Sequence, residues 1–308
     1  MRIVLACGRI LIATLTLRVA LVVVGVPTPL IAQEVIGKRQ FPDQLVISEP
    51  FVEDELSLPA FLHIDRVRIG GQRSRLTSAG GEVKKRITSD LELSLTGNLI
   101  YLDRTDGDSI SGFDNLVVGL KYQLFASELH EAVASVALSW EVGGTGRRAV
   151  GAELSDTVTP TVLAGKGLGD LPDELAVLKP LALAALLGVQ IPDGRRPHVL
   201  VWGGVVEYSL PYLDSFVKRV DLPRPLNQLI PLVEVEIRTN LDRGDAGRLR
   251  GTVNPGVVWI GKQLQIGLEA VAPLDDRSGR GVGARGFLRI PLEALFGKRA
   301  GQPLFGGR

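Results

Sequence analysis

Acidic and basic residues recur at every second position in the second half of the sequence. In "LVEVEIRT" (232–239), Glu234, Glu236 and Arg238 alternate with aliphatic residues. Side chains two positions apart on a β-strand share one face, so these charges would lie together. Opposed charges that line a water-filled passage create a field that selects solutes. In a narrower interior the same charges would pair with one another and fill the space.

Other strand-like stretches carry charges in the same kind of row, for example "GKQLQIGLEAVAPL" (261–274) and "GFLRIPLEALF" (286–296). The predicted inward-facing, lumen-lining positions are Lys121, Glu141, Glu234, Glu236, Arg238, Glu269, Arg289 and Glu293. Both alternatives, a charged constriction and a packed interior, remain open for this set.

Motifs for other chemistry are absent or poorly formed. The stretch "AGKGLGD" (164–170) lacks the glycine spacing of a phosphate-binding loop and predicts a glycine-rich turn. His63, His130 and His198 lie far apart in the sequence, with neither a second histidine nor a cysteine at metal-site spacing. A G-x-S-x-G nucleophile motif is also missing. We therefore predict no enzymatic activity, no metal and no cofactor.

The N-terminus has the composition of an export signal. "MRIVLACGRILIATLTLRVALVVVGVPTPLIAQ" combines early arginines, the apolar run "VALVVVGV" and then two prolines. This order predicts a signal peptide over residues 1–32, with cleavage near Ala32. The alternative is an N-terminal membrane anchor, but the uninterrupted apolar run is shorter than the roughly 20 residues that span a bilayer.

Alternating segments of about ten residues follow from residue 61 onward, separated by turn signals. The alternation in "SDLELSL", "ASVALSWEVGG" and "GKQLQIGLEAVAPL" fits a soluble sandwich as well as a membrane barrel. The signal segment, the lack of cysteine after Cys7 and the succession of strands favour the barrel. In lipid every strand edge must be paired, so the sheet would have to close. We predict an all-β, transmembrane antiparallel β-barrel of about 12 strands.

The domain boundaries follow from changes in pattern. Residues 33–60 are acidic, irregular and interrupted by prolines, which predicts a periplasmic extension. The barrel is expected over 61–296 and a tail over 297–308. Residues 172–188 are apolar on both rows, and periodicity does not separate helix from strand there.

Several phrases, in order, resemble the outer-membrane channel-like family that is named for the MetA pathway of phenol degradation and often called "transporter". They are "FDNLVVGLKYQLF" (113–125), "VEYSLPYLDSFV" (206–217), "IPLVEVEIRT" (230–239), "TVNPGVVWIGKQLQIGLEAVAPLD" (252–275) and "GVGARGFLRIPLEALF" (281–296). The resemblance implies a small outer-membrane barrel that passes small, often hydrophobic, compounds, and it supplies no catalytic or ligand residues. The apolar segment 178–188 and the tail after Phe296 depart from the family pattern.

These observations predict passive passage of small solutes, hydrophobic or aromatic ones included, across the outer membrane. The predicted partners are outer-membrane lipid and an unidentified small molecule. A net charge of +1 argues against nucleic acid. Two alternatives stay open: a closed structural or interaction barrel without transport, and a secreted soluble β-sandwich.

Overall fold

The computed structural model describes residues 35–42, 44–69, 71–243 and 246–306, so the predicted signal peptide over 1–32 lies outside the described residues. The strands are β1 Val35–Ile36, β2 Arg39–Gln40, β3 Glu55–Ile69, β4 Gln72–Arg86, β5 Leu91–Arg104, β6 Ile110–Phe113, β7 Leu116–Ser127, β8 Ala132–Val142, β9 Thr157–Gly167, β10 Leu181–Pro192, β11 Val199–Tyr208, β12 Leu229–Asn240, β13 Leu249–Ile260, β14 Gln265–Pro273 and β15 Gly283–Pro291.

Helical structure is confined to short turns in the described residues. Helix α1 is Leu210–Tyr212 and continues into a π-helical turn, Leu213–Val217; helix α2 is Leu292–Phe296. The 3₁₀ turns are Arg148–Val150, Asp173–Leu178, Leu226–Gln228 and Lys298–Gly301. Within the ranges described, none of the helices has the length and apolarity needed to cross a membrane.

The long strands form a closed barrel. Each pairs antiparallel with its neighbours, from β3 round to β15, and β15 pairs back to β3. Among the described residues twelve strands close this ring, while β6 adds a short pairing to β5. The prediction of an all-β antiparallel barrel of about 12 strands is confirmed, and a two-sheet sandwich is excluded because a single sheet closes on itself.

The apolar rows point outward. On β14, Ile266 and Leu268 are 42% and 51% exposed, whereas Gln265 and Glu269 are buried inside the barrel. Tyr101, Trp140 and Trp202 also lie on the outer surface. Since exposed apolar rows run round the barrel, the outer surface suits an apolar solvent and the inner surface a polar or filled interior.

β10 and β11 are apolar on both rows, one of which faces the interior of the barrel and the other its outer surface. On β10, Ala182, Ala184 and Leu186 are buried inside, while Leu183 and Leu187 remain exposed outside. The ambiguous segment 172–188 is divided: a 3₁₀ turn, Asp173–Leu178, precedes β10, which begins at Leu181.

The two ends of the barrel are distinguished by where its first strand begins and its last strand finishes. We call the end where β3 begins and β15 finishes the proximal end; the connections β4–β5, β7–β8, β9–β10, β11–β12 and β13–β14 lie there. The opposite, distal end holds the connection β3–β4, strand β6 and the connections β8–β9, β10–β11, β12–β13 and β14–β15.

The strand boundaries differ from the sequence alternation at both edges of the barrel. Residues 55–60 belong to β3, and the last strand finishes at Pro291. Pro291 is the N-cap residue of α2, and the chain turns into that helix there. The tail then returns to β4, where the N–H groups of Leu304 and Phe305 donate to the carbonyl groups of Arg86 and Ile87 (3.1 and 2.8 Å).

Candidate functional site

The described residues of 35–54, which we call the strap, lie inside the barrel. The strap contacts the inner surfaces of β4, β5, β7, β8, β9, β11, β12, β14 and β15. A segment that touches strands on every side of a closed ring must occupy its lumen. The strap enters with the β1–β2 hairpin at the proximal end and returns to that end at Asp54, where β3 follows.

One side of the lumen receives the apolar side chains of the strap. Phe41 and Phe51 pack against each other, with ring centroids 5.3 Å apart, and are buried with Val133 and Ala182. Ile47 is buried with Leu163, Leu186 and Val201, and Leu45 packs against a further cluster. We call this side the apolar wall; its inward residues are Leu163, Ala182, Ala184, Leu186, Val201, Val205, Ile230, Leu232 and Val258.

A carboxylate set in the apolar wall binds the strap backbone. The N–H groups of Leu45, Val46 and Ile47 donate to Glu234 over 2.7, 2.8 and 2.7 Å. Glu234 is fully buried, and hydrogen bonds to a charged acceptor are stronger than those to a neutral one. Three consecutive backbone donors to one carboxylate fix the position of the strap along the barrel axis.

The other side of the lumen is charged. Lys84 contacts Glu49, Glu53 (2.9 Å) and Glu55 (3.3 Å). Lys121 contacts Glu49 and Glu92, both at 3.3 Å, and also donates to the carbonyl of Phe51. We call this side the charged wall; its inward residues are Lys84, Glu92, Lys121 and Arg289.

Glu49, which belongs to the strap rather than to a strand, is held ionised by this wall. Its burial alone would raise the pKa of the carboxyl group. The positive charges of Lys84 and Lys121 outweigh that effect and lower the pKa from 4.5 to about 2. The strap therefore presents a stable negative charge to the two lysines at neutral pH.

The proximal end fastens both ends of the strap. Arg39 is fully buried; it binds Glu131 (2.8 Å), donates to the carbonyl groups of Lys179 and Pro180, and stacks over Tyr212. At the other end of the strap, the carboxylate of Asp54 binds Lys85 (2.6 Å) and Arg86 (2.8 Å). These contacts tie the strap to the connections β7–β8, β9–β10 and β11–β12 and to the end of β4.

Inward glycines make room for the strap. A Cβ atom on Gly165 would lie 3.2 Å from Pro50 and 3.6 Å from Phe41. A Cβ atom on Gly203 would lie 2.9 Å from Ile47 and 2.2 Å from the carbonyl oxygen of Val235 on β12. A side chain at Gly165 would therefore compete with the strap for space, and one at Gly203 would collide with both the strap and the neighbouring strand.

Free volume remains beside the strap in the described part of the barrel, and two cavities account for part of it. One, of about 340 Å³, lies between residues 44–49 and the charged wall. The other, of about 470 Å³, extends distally past Leu45 and is lined by Asn98, Ile100, Arg285 and Phe287, among others. The lumen is thus interrupted by the strap, with free volume on the charged side and towards the distal end.

The structure brings three of the eight predicted inward residues into contact with the strap and places a fourth close by. Lys121 and Glu234 bind the strap directly, Arg289 donates to the carbonyl of Gln44 (2.8 Å), and Glu269 is buried near Glu234. The remaining strand residues lie in the distal half. There Glu236 pairs with Arg238 (2.7 Å), and Glu141 accepts from Asn115 (2.8 Å).

The placement of Glu293 on a lumen-facing strand is wrong. Glu293 lies in α2, beyond the end of β15. Alternation in "RIPLEALF" continues past Pro291, but the strand finishes at that residue, and the following residues form the helical turn α2.

Sequence reasoning missed the residues that hold the strap, including Arg39, Glu49 and Lys84. Glu49 and Arg39 fall in a stretch without periodicity, so nothing local marks them as lumen residues. Lys84 could have been found, because it lies on the inward row of β4, directly opposite Glu55 on β3.

The histidines do not form a shared site. His63 contacts Thr77 (2.9 Å), His130 contacts Asp170 (3.3 Å), and His198 contacts Asp242 (2.5 Å), each in a different part of the barrel. Across the residues that are described, no group of three or more His, Cys, Asp and Glu could hold a metal ion.

No family model and no curated protein matches the chain. Solved structures do match it at low identity. The KdgM porin is 12% identical, with 77% of this chain and 98% of that chain covered and a TM-score of 0.44. An outer membrane channel from Pseudomonas putida F1 is 13% identical, with 78% and 96% covered and a TM-score of 0.49. The translocator domain of autotransporter NalP from Neisseria meningitidis is 9% identical, with 77% and 87% covered and a TM-score of 0.44.

Proposed function

We propose that the barrel is an outer-membrane channel for small solutes and that the strap closes it. In this proposal solutes pass by diffusion when the strap leaves the lumen. The inward charges in the distal half, Glu141, Glu236 and Arg238, filter what enters. No cofactor or metal takes part.

The observation that carries this proposal is that a separate segment, and not the side chains of the barrel wall, fills the lumen. Small barrels that serve as rigid bodies fill their interior with side chains of the wall itself. Here the wall carries glycine at Gly165 and Gly203, and a separate segment fills the space instead. A filler that is joined to the wall through one strand connection and held by non-covalent contacts can move out without unfolding the ring.

The apolar wall supports small apolar or aromatic solutes as the cargo class. When the strap leaves, the surfaces that cover Phe41, Ile47 and Phe51 become exposed to water. Burying such a side chain is worth about 1.5–3 kcal/mol, so an apolar solute on the same surface would offset part of this loss. The resemblance to the family named for phenol degradation agrees with this cargo class.

The outward apolar rows support a membrane location, with lipid as the partner of the outer surface, after export through a cleaved signal peptide. Replacing Leu268 with Arg should impair insertion by roughly 2–4 kcal/mol if this position lies near mid-bilayer. The matched control is Arg at Leu129, which is 79% exposed in the connection β7–β8. Assembly of both variants to equal levels would contradict the membrane location.

Deletion of residues 35–54 tests the channel itself. The folded state of wild type and variant is checked by gel mobility with and without boiling, because a folded barrel migrates differently from the heated chain. We expect the deletion variant to conduct ions steadily in planar bilayers and the wild type to be mostly closed. If the deletion variant is heat-shifted but passes no ions, the channel proposal is contradicted, and the protein is a closed structural or interaction barrel.

A further inference from the structure

The outer face of the β3–β4 hairpin changes from apolar to basic at the distal end. Outward residues on β4 alternate through Val83, Ala79 and Thr77 to Arg75 and Arg73. On the neighbouring strand β5 the same face carries Leu95, Leu99 and then Tyr101. An aromatic at the edge of an apolar band is typical of the boundary between hydrocarbon and headgroups.

Two arginines lie directly opposite each other just beyond this boundary. Arg68 on β3 pairs with Arg73 on β4, and Arg75 follows on the same face. Like charges directly opposite on neighbouring strands destabilise a hairpin. Asp103 lies 3.8 Å from Arg75, and Asp106 and Asp108 follow in the β5–β6 turn, where the N–H of Thr105 donates to the carbonyl of Arg73 (3.1 Å). Within the described ranges, neither Arg68 nor Arg73 forms an ion pair with these acids. Asp65 and Arg66 lie in the adjacent bulge of β3, and their opposite charges sum to zero.

The basic residues at the distal end are also of one type. None of the lysines lies at the distal strand ends or in the distal connections of the described chain, where the cations are arginines such as Arg147, Arg196 and Arg280. A guanidinium group binds phosphate with two parallel hydrogen bonds, whereas an ammonium group acts as a point charge.

We infer that Arg68, Arg73 and Arg75 form a binding site for the phosphorylated headgroup of a membrane lipid. The inference rests on the proposed membrane location, since the site lies at the edge of the lipid-facing band. A phosphate between Arg68 and Arg73 would remove the repulsion between them, and the lipid chains would lie on the apolar rows that include Leu99 and Phe61.

The test is a lipid titration of the folded, full-length mature barrel in detergent, with bound lipid counted by native mass spectrometry. The probes are a diphosphorylated lipid A, the same lipid without its phosphates, and inorganic phosphate. The test variant is Arg68→Gln/Arg73→Gln. Its control is Arg238→Gln/Arg250→Gln, because these two arginines also lie directly opposite on neighbouring strands but face the lumen.

We expect the test variant to bind diphosphorylated lipid A about 30-fold more weakly, since each basic residue near a charged membrane surface contributes roughly fivefold. The control variant should bind like the wild type, and all three proteins should bind the lipid without phosphates equally. Equal affinity of test variant and wild type, or an equal loss in the control, would overturn the inference. Tight binding of inorganic phosphate alone would also overturn it, because the ligand would then not be a lipid.

The heat-shift assay separates this inference from the proposed function. A heat-shifted barrel with unchanged lipid binding contradicts the headgroup site alone. A protein that stays soluble without detergent and shows no heat shift contradicts the membrane barrel, and the headgroup site fails with it.

Discussion

The apolar wall and the charged wall of the lumen hold the same strap by different means. The apolar wall buries Phe41, Ile47 and Phe51, each at 6% exposure or less. The charged wall surrounds Glu49 with Lys84 and Lys121. If the strap leaves, the charged wall keeps its balance, because both lysines retain carboxylates such as Glu55 and Glu92. The apolar wall has no such replacement within the ring.

This difference indicates that apolar burial keeps the channel closed, while the charges set where the strap sits. Water can enter the charged side without great loss, since ionised groups are well solvated. Water on the apolar side is unfavourable by about 25 cal/mol for each Å² of exposed surface. The comparison therefore predicts unequal effects of substitutions on the two walls.

The largest effect is expected from Phe41→Ala. Removing a buried phenylalanine side chain costs about 3–5 kcal/mol, so the ratio of closed to open channels should fall at least a hundredfold. The open probability in planar bilayers measures this change. Leu129→Ala is the control, because Leu129 is 79% exposed. A Phe41→Ala channel as closed as the wild type would mean that the apolar wall does not hold the strap.

A smaller effect is expected from Glu234→Gln. The variant keeps the shape of the side chain but loses the charge that accepts three backbone N–H groups. A hydrogen bond to a charged group contributes about 1.5–3 kcal/mol, so opening should increase roughly 30-fold. Glu269→Gln is the matched control, because no strap donor reaches that carboxylate among the described residues. Equal opening of both variants would show that the three N–H groups do not fix the strap.

Ion selectivity gives a second use for the same pair of residues. In a channel opened by Phe41→Ala, replacing both Glu234 and Glu269 with Gln should change the preference for cations over anions, because inward carboxyl groups are replaced by neutral amides. Reversal potentials in a salt gradient measure the preference. An unchanged value in a conducting variant would place these carboxylates off the solute path.

The smallest effect is expected from Glu49→Gln, about fivefold in open probability at pH 6, because Lys84 and Lys121 keep other carboxylate partners. The pKa of Glu49 is lowered from 4.5 to about 2, so its charge contributes fully above pH 4.5 and less as the pH falls towards 2. The difference between wild type and variant should therefore narrow below pH 4.5. A difference that widens on acidification would contradict the ionised state of Glu49.

Alternation predicted the ring because it is a local property of each strand. On β14, Ile266 and Leu268 mark an outward row without knowledge of their neighbours, whereas Leu264, two residues earlier in the same alternation, is buried in the turn before the strand. The number of alternating segments gives the strand count. The apolar character of both rows of β10 also has a physical explanation. Its outer row, with Leu183 and Leu187, lies on the exposed outer surface, and its inner row packs against the strap.

The strap could not be predicted because its contacts are distant in sequence and follow no repeat. Leu45 and Glu234 are separated by 189 positions, and Arg289 and Gln44 by 245. The prolines and acids of residues 33–60 suggest an irregular extension, and the described residues of 35–54 are irregular apart from β1 and β2, whereas 55–60 belong to β3. Their chemistry alone does not place the extension inside a ring. Asp54 and Glu49 gain their meaning from lysines that only the closed barrel brings near.

A reversible covalent lock tests the central claim most directly. Pro50→Cys and Gly165→Cys join the strap to β9, where a Cβ atom on Gly165 would lie 3.2 Å from Pro50 Cγ, and Phe41→Ala supplies the open background. We predict that this triple variant is silent in planar bilayers when oxidised and conducts after reduction, while Pro50→Cys/Phe41→Ala conducts in both states. Equal conductance of the triple variant before and after reduction would show that the strap does not gate the lumen.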